Sequence, residues 1–192
     1  MLKQKTIENE EAFLRQMSRK VDFLEDPVQE IANQLKDFCQ NSSLAMALAA
    51  VQVGIPLEML YLKKIDLNRL EDDTYDENRI LINPVIIEAY GESEYWEACV
   101  SCLDYTGLVR RPYGVVIEYQ DIEGNVHQEE FTGLPATVIC HELDHFKGIL
   151  HIDIASKIIR CTPEERLELR KKEGYKIIRK DGPFVKAKQK TL

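Results

Sequence analysis

No run of eighteen apolar residues occurs in this chain of 192, which excludes a membrane-spanning helix from the sequence. The opening MLKQKTIENEEAFLRQ has no apolar centre of a secretion signal, and its acids argue against a transit peptide. A cytoplasmic location is therefore expected. Repeats and low-complexity linkers are also missing, so residues 1–192 read as one domain, long enough to bury a substantial core. The cysteines number five (Cys39, Cys99, Cys102, Cys140 and Cys161). An odd set without a secretion signal reads as reduced thiols, each better suited to a ligand or nucleophile than to a disulfide. A second C-x-x-C is lacking, so Cys99 and Cys102 do not read as part of a four-cysteine zinc knuckle. Their neighbours do not read as a strand-to-helix redox turn either. Methionine occurs at 1, 17, 46 and 59 and nowhere later, an absence that matters below.

The apolar fraction of 44% and charged fraction of 30% are those of an ordinary globular protein. The net charge of −8 is unevenly spread: from Lys157 to Leu192, 12 Lys and Arg stand against 5 Asp and Glu, whereas residues 1–156 carry 13 against 28. A basic end on an acidic body reads as a solvated helix and tail from about residue 157. The other reading is an RNA-facing extension that docks on the ribosome. Neither DNA nor a membrane is expected as a partner.

The first forty residues read as helical, most clearly DPVQEIANQLKDFCQ, with Asp26 as cap, Pro27 at the first position and Val28, Ile31, Leu35 and Phe38 at helical spacing. EMLYLKKI reads as a strand, DLNRLEDDTYDENR as an acidic loop, and ILINPVIIEAY as extended chain around Pro84. GVVIEYQDIEGNVHQEEF alternates on either side of Glu123-Gly124-Asn125 as a hairpin does. LPATVICHELDHFKGIL suits a buried helix after Pro135, ending near Gly148. TPEERLELRKKEGYK suits a last helix capped by Thr162. The predicted fold is α+β: antiparallel or mixed sheets around a central helix, with helices at both ends of the chain.

The chemistry concentrates in HELDHFKGILH, residues 141–151. His141 and His145, four apart, share a helix face and can grip one ion with Glu142 beside them as base. On a helix otherwise apolar, buried His and Glu need partners, and a metal supplies them. Gly148 and His151 extend the motif to the three-histidine pattern of the metzincin proteases, in which His151 would be the third ligand. That pattern also requires a methionine turn downstream, which this chain lacks. A better third ligand is a thiolate upstream, in WEACVSCLDYTGLVRRP, which would give a three-ligand site with an open fourth position.

Three blocks in order resemble the peptide deformylase family. LAMALAAVQVGIP holds Ala45–Gln52 where the family has G-x-G-L-A-A-x-Q; Glu97-Ala98-Cys99-Val100-Ser101 stands for E-G-C-L-S; and His141 to Gly148 matches H-E-x-D-H-x-x-G, including Asp144. The resemblance runs from about residue 10 to about residue 156. It implies hydrolysis of the N-formyl group of nascent N-formylmethionyl peptides, with release of formate. By the same resemblance Cys99, His141 and His145 hold one divalent metal, Fe(II) natively and Zn, Ni or Co in substitution. Glu142 is implied as base and then acid, and the Gln52 amide and Val100 N–H as donors to the formyl oxygen. Asp144 and Arg111 are an implied ion pair steadying the ligands, with a plain surface salt bridge as the alternative. Ala45, Ala47, Leu48, Leu134 and Val138 are the expected walls of a methionine pocket. His151 falls where the family commonly has an aromatic residue, which fits packing rather than ligation. Alanine replaces the family's glycine at 45, 47 and 98, so the alternative is a weakly active or inactive metal-binding relative with an altered substrate range.

Overall fold

The computed structural model describes residues 3–42, 45–63 and 79–185. Residues 66–78 of the acidic loop expected at 66–79 and the end of the basic tail lie outside them. Helices Ile7–Leu14 (α1) and Val28–Asn41 (α2) are present, but residues 15–27 between them are not helical, contrary to the expectation for the first forty residues. Helix α2 also begins one residue late, with Pro27 at the cap. The Asp26 carboxylate is engaged elsewhere: it binds the Arg19 guanidinium at 2.7 and 2.8 Å and accepts the Asp22 N–H. These bonds turn the carboxylate toward Arg19 and Asp22, and no side chain caps α2.

Among the described residues eight strands form one sheet in which every pairing is antiparallel. They are β1 (Ala47–Ala49), β2 (Met59–Leu62), β3 (Arg79–Ala98), β4 (Tyr105–Arg111), β5 (Gly114–Gln120), β6 (Val126–Thr132), β7 (Lys157–Arg160) and β8 (Lys176–Pro183). The hub is β3, which pairs with β2, β4, β5 and β8. It bends where its register slips between Ile82 and Val85. Pro84 has no N–H for the ladder there, and Asn83 takes a left-handed φ of 51°, its side chain bonded to the Val21 backbone and Gln120. The β5–β6 hairpin turns at Glu123-Gly124-Asn125, as its alternation predicts.

Helices α2 and Leu134–His145 (α3) cover opposite faces of β1, β2 and the start of β3. Met59 and Tyr61 pack with Val28, Ile31 and Leu35 of α2, while Leu60 and Leu62 pack with Ala136, Ile139 and Leu143 of α3. This is why β2 reads as an unbroken apolar run: both its faces are covered. Each large core side chain such as Leu60, Leu81 or Ile117 contributes roughly 1.5–3 kcal/mol by burial.

After α3 come the short helix His151–Ile154 (α4), β7, Pro163–Glu173 (α5) and β8. The Thr162 cap of α5 is as expected, its hydroxyl accepting the Glu165 N–H while the Glu165 carboxylate accepts the Thr162 N–H at 2.8 Å. The basic segment is not simply helix and tail, however, because β7 and β8 pair with β4 and β3. Both strands are largely exposed and polar, so no apolar alternation announces them. No helix among the described residues is long and apolar enough to cross a membrane.

Candidate active site

Helix α3 runs through the core and carries His141, Glu142 and His145 on buried turns. The two rings sit edge-on with centroids 5.0 Å apart, as residues one turn apart should. Its end is tied to the N-terminal arm. Gly148, at φ 68°, lies where an added Cβ would come 2.2 Å from the Arg15 carbonyl oxygen, so both its conformation and its space demand glycine. Cys99 follows β3 in a tight turn, where the Cys102 N–H donates to the Cys99 carbonyl at 3.0 Å.

This turn meets α3. The ligand atoms of Cys99, His141 and His145 all lie within 4.8 Å of one another, and all three residues are buried. Cys99 Sγ is 3.3 Å from His145 Nε2. His141 Nδ1 donates to Glu97 at 2.8 Å, which leaves Nε2 as its ligand atom. A hydrogen bond from Cys102 and, against the cost of burial, the charge of His145 hold the Cys99 thiol well below its ordinary pKa. Burial disfavours cationic His141, but Cys99 and Glu97 outweigh it and hold its pKa well above the usual value. One thiolate and two imidazole nitrogens converging in a water-poor cluster are the donors of a tetrahedral metal site with one position open, so the residues fit a divalent ion.

Asp144 and Arg111 form a buried pair, not a surface bridge. Arg111 reaches Asp144 at 2.5 Å and grips Glu97 through two bonds of 2.8 and 3.0 Å, with the three side chains 9% exposed or less. The chain Asp144–Arg111–Glu97–His141 therefore orients a ligand ring. Glu97 is the functional residue that sequence reasoning passed over: it stands two positions before Cys99 in the second block, yet only its contacts reveal its task. The Arg111 charge lowers its carboxyl pKa against the opposing effect of burial.

Gln52 lies on a 3-10 turn, Ala50–Val53, after β1. Its Oε1 accepts the Ala49 N–H at 2.9 Å, which turns Nε2 to Cys99 Sγ and the Ser101 hydroxyl, each at 3.3 Å. Glu142 is buried, and one carboxylate oxygen accepts the same Ala49 N–H at 2.9 Å. Burial raises its pKa. The carbonyl of Val100 accepts from the Gln4 side chain, and Lys5 and Ile7 N–H groups bond Gln52 and Ser101 carbonyls, so the N-terminal arm straps both loops.

A cavity of about 490 Å³ opens beside these groups. Ala45, Ala47, Gln52, Cys99, Val100, Leu134, Val138, His141 and Glu142 line it, as does Ala98. Leu48 does not. Successive strand residues point to opposite faces, and while Ala47 and Ala49 face α3, Leu48 is buried among Val28, Leu35 and Met59 on the α2 side. It is a core residue, which corrects its expected place in the pocket wall. The cavity's other side, not foreseen, is built by Tyr95, Thr137 and α5 through Arg166, Leu167 and Arg170. The three alanines at family glycine positions carry no strain, since Asn83 is the one non-glycine residue with positive φ among those described. Their effect is three methyl groups on the pocket wall. His151 is buried, its ring centroid 5.6 Å from that of His141. It lies outside the ligand cluster, and burial pushes its pKa down to about 4.

Comparison with known proteins agrees with this arrangement. A family model described as polypeptide deformylase matches residues 4–160. A peptide deformylase of Rhodopseudomonas palustris (strain BisA53) is 36% identical over 166 residues, covering 86% of this chain and 90% of that one. One from Mesorhizobium japonicum is 39% identical over 148 residues, covering 77% and 81%. The crystal structure of a peptide deformylase from Synechococcus elongatus in complex with actinonin superposes with a TM-score of 0.70 at 26% identity, covering 95% of this chain and 91% of that one. With its second and third sequence blocks folded into one Cys/His/His cluster beside Gln52 of the first, the chain belongs to the polypeptide deformylase family, metal-dependent hydrolases that remove N-formyl groups.

Proposed function

We propose that this chain, as a single catalytic domain spanning residues 1–192, hydrolyses the formamide of N-formylmethionyl peptides to formate and a free N-terminal amine. The observation that carries the reading is the convergence of Cys99 with His141 and His145 beside the buried Glu142 carboxylate. These three residues would hold the divalent ion. Fe(II) is proposed as native, with Zn, Ni or Co in substitution, because one thiolate and two imidazoles suit all four. A divalent cation bound there supplies Lewis acidity, making a water molecule acidic near neutral pH and polarising the formyl group.

The protein's own groups do the rest. Glu142 takes the water's proton on the carboxylate oxygen not engaged by Ala49, then returns it to the leaving amine. Burial raises its affinity for that proton. Gln52 Nε2, aimed by the Ala49–Oε1 bond, and the Val100 N–H donate to the formyl oxygen as it gains charge. Ala45, Ala47, Leu134 and Val138 wall the methionine side chain. Asp144 and Arg111 hold Glu97 and through it the His141 ring. The substrate class supports a cytoplasmic location.

The test is formate release from a formyl-Met tripeptide by protein purified without oxygen, alongside metal analysis. Background release from a fully metallated sample would overturn the proposal in favour of a metal-binding relative without turnover. Ribosome docking by the basic end is part of the same proposal. Since β8 is held in the sheet, the informative deletion removes residues after 185, and it should weaken salt-dependent co-sedimentation with ribosomes. Unchanged sedimentation sinks that idea.

A further inference from the structure

The face of α5 turned to the cavity presents two arginines. Arg166 and Arg170, four apart, share that face, and both line the pocket that holds Cys99 and Glu142. Arg166 is 8% exposed. Its Nε donates to the Thr106 hydroxyl at 2.9 Å and one Nη to the Leu103 carbonyl. Arg170 donates through Nε to the Trp96 carbonyl at 2.9 Å and lies 5.0 Å from the centre of the Tyr95 ring. Among the described residues neither guanidinium has a carboxylate within ion-pair distance, and the hydrogen bond that holds Arg170 uses its Nε.

None of the carboxylates on the same cavity forms a direct ion pair with them. Glu97 is held by Arg111, Glu142 accepts the Ala49 N–H, and Glu164 at the start of α5 is exposed and pairs with neither arginine. Two like charges one helical turn apart, partly withdrawn from water and without a directly paired carboxylate, cost stability. Burial and the Arg166 charge lower the Arg170 pKa, against the opposing effects of Tyr95 and Glu97. Such an arrangement is matched by an anion that binds from outside, and a guanidinium fork fits a carboxylate through two parallel bonds.

We propose that Arg166 and Arg170 form a carboxylate-recognition subsite that favours formylated peptides bearing Asp or Glu downstream of the methionine. The identity of the occupant rests on the deformylase reading; the cation pair does not. On a nascent chain the free terminus is remote from the formylated end, so the carboxylate is a side chain.

The experiment compares kcat/KM for amidated formyl-Met-Ala-Glu-Ala and formyl-Met-Ala-Lys-Ala at low salt, with a free-acid formyl-Met-Ala-Ala as the terminal-carboxylate arm. Anisotropy of labelled, unformylated Met-Ala-Glu-Ala and Met-Ala-Lys-Ala amides gives a readout that needs no turnover. The glutamate peptide should exceed the lysine peptide about tenfold, or about 1.4 kcal/mol. The ratio should approach one in Arg170→Gln and fall partway in Arg170→Lys, which keeps the charge but loses the fork. Equal rates and equal binding by the wild-type protein, or a ratio unchanged in Arg170→Gln, overturn the proposal. So does a gain confined to the free-acid arm. Arg170-dependent binding of the glutamate peptide without formate release from any substrate would instead sink the deformylase reading and leave the subsite standing.

Discussion

Removing Arg111 should damage this protein more than removing the charge of Glu97, and the size of each effect follows from the contacts. Arg111 makes three charge-assisted bonds of 2.5–3.0 Å to two carboxylates, all in side chains 9% exposed or less. Arg111→Met leaves both Glu97 and Asp144 buried without their cation. Stranding one partner of a buried pair costs about 3–5 kcal/mol. At about 2–4 °C per kcal/mol for a chain of this size, the melting temperature should fall by on the order of 10 °C. Glu97→Gln keeps an acceptor oxygen and the shape but loses the charge, a change nearer about 1.5–3 kcal/mol. The same variant loosens the His141 ring, so metal affinity should drop about 10- to 100-fold. Circular-dichroism melting with a chelator present isolates the stability effect, and a Co(II) titration isolates the ligand effect. The reasoning is refuted if Arg111→Met melts no lower than Glu97→Gln, or if Glu97→Gln binds cobalt as tightly as the parent.

Three other changes probe separate parts of the argument. Cys99→Ala should abolish metal retention in elemental analysis, whereas His151→Phe should keep one ion per chain; the reverse pattern would restore the three-histidine site. Gly148→Ala should destabilise by at least about 1–3 kcal/mol, because φ 68° strains an alanine and its Cβ would meet Arg15; a denaturant midpoint within error of the parent would contradict this. Thr162→Ala removes one half of the α5 capping box and should cost about 1 kcal/mol, seen as faster hydrogen exchange in Pro163–Glu173 before any change in the core.

How far the molecule can be read from its residues depends on the range of the interactions concerned. His141, Glu142 and His145 are legible because a helix repeats every 3.6 residues and puts them together whatever else the chain does. The β5–β6 hairpin and the Thr162 cap are equally local, and both form as read. Cys99 and Gln52 are joined to the histidines in sequence terms only by a family's order of blocks, since no local rule links positions so far apart. The expected cap at Asp26 is missing, and its carboxylate is instead bound by Arg19 and the Asp22 N–H.

The sequence by itself determined the helix that carries the donors, the alternating strands, and the glycine that lets α3 end against the N-terminal arm. The tertiary structure decided the rest, because those outcomes depend on contacts between distant segments. Glu97 reaches His141 across 44 positions, and Arg170 reaches Trp96 across 74. Which face of β1 looks into the cavity, and so why Ala47 lines it while Leu48 does not, was settled only when α2 and α3 covered opposite sides of the sheet.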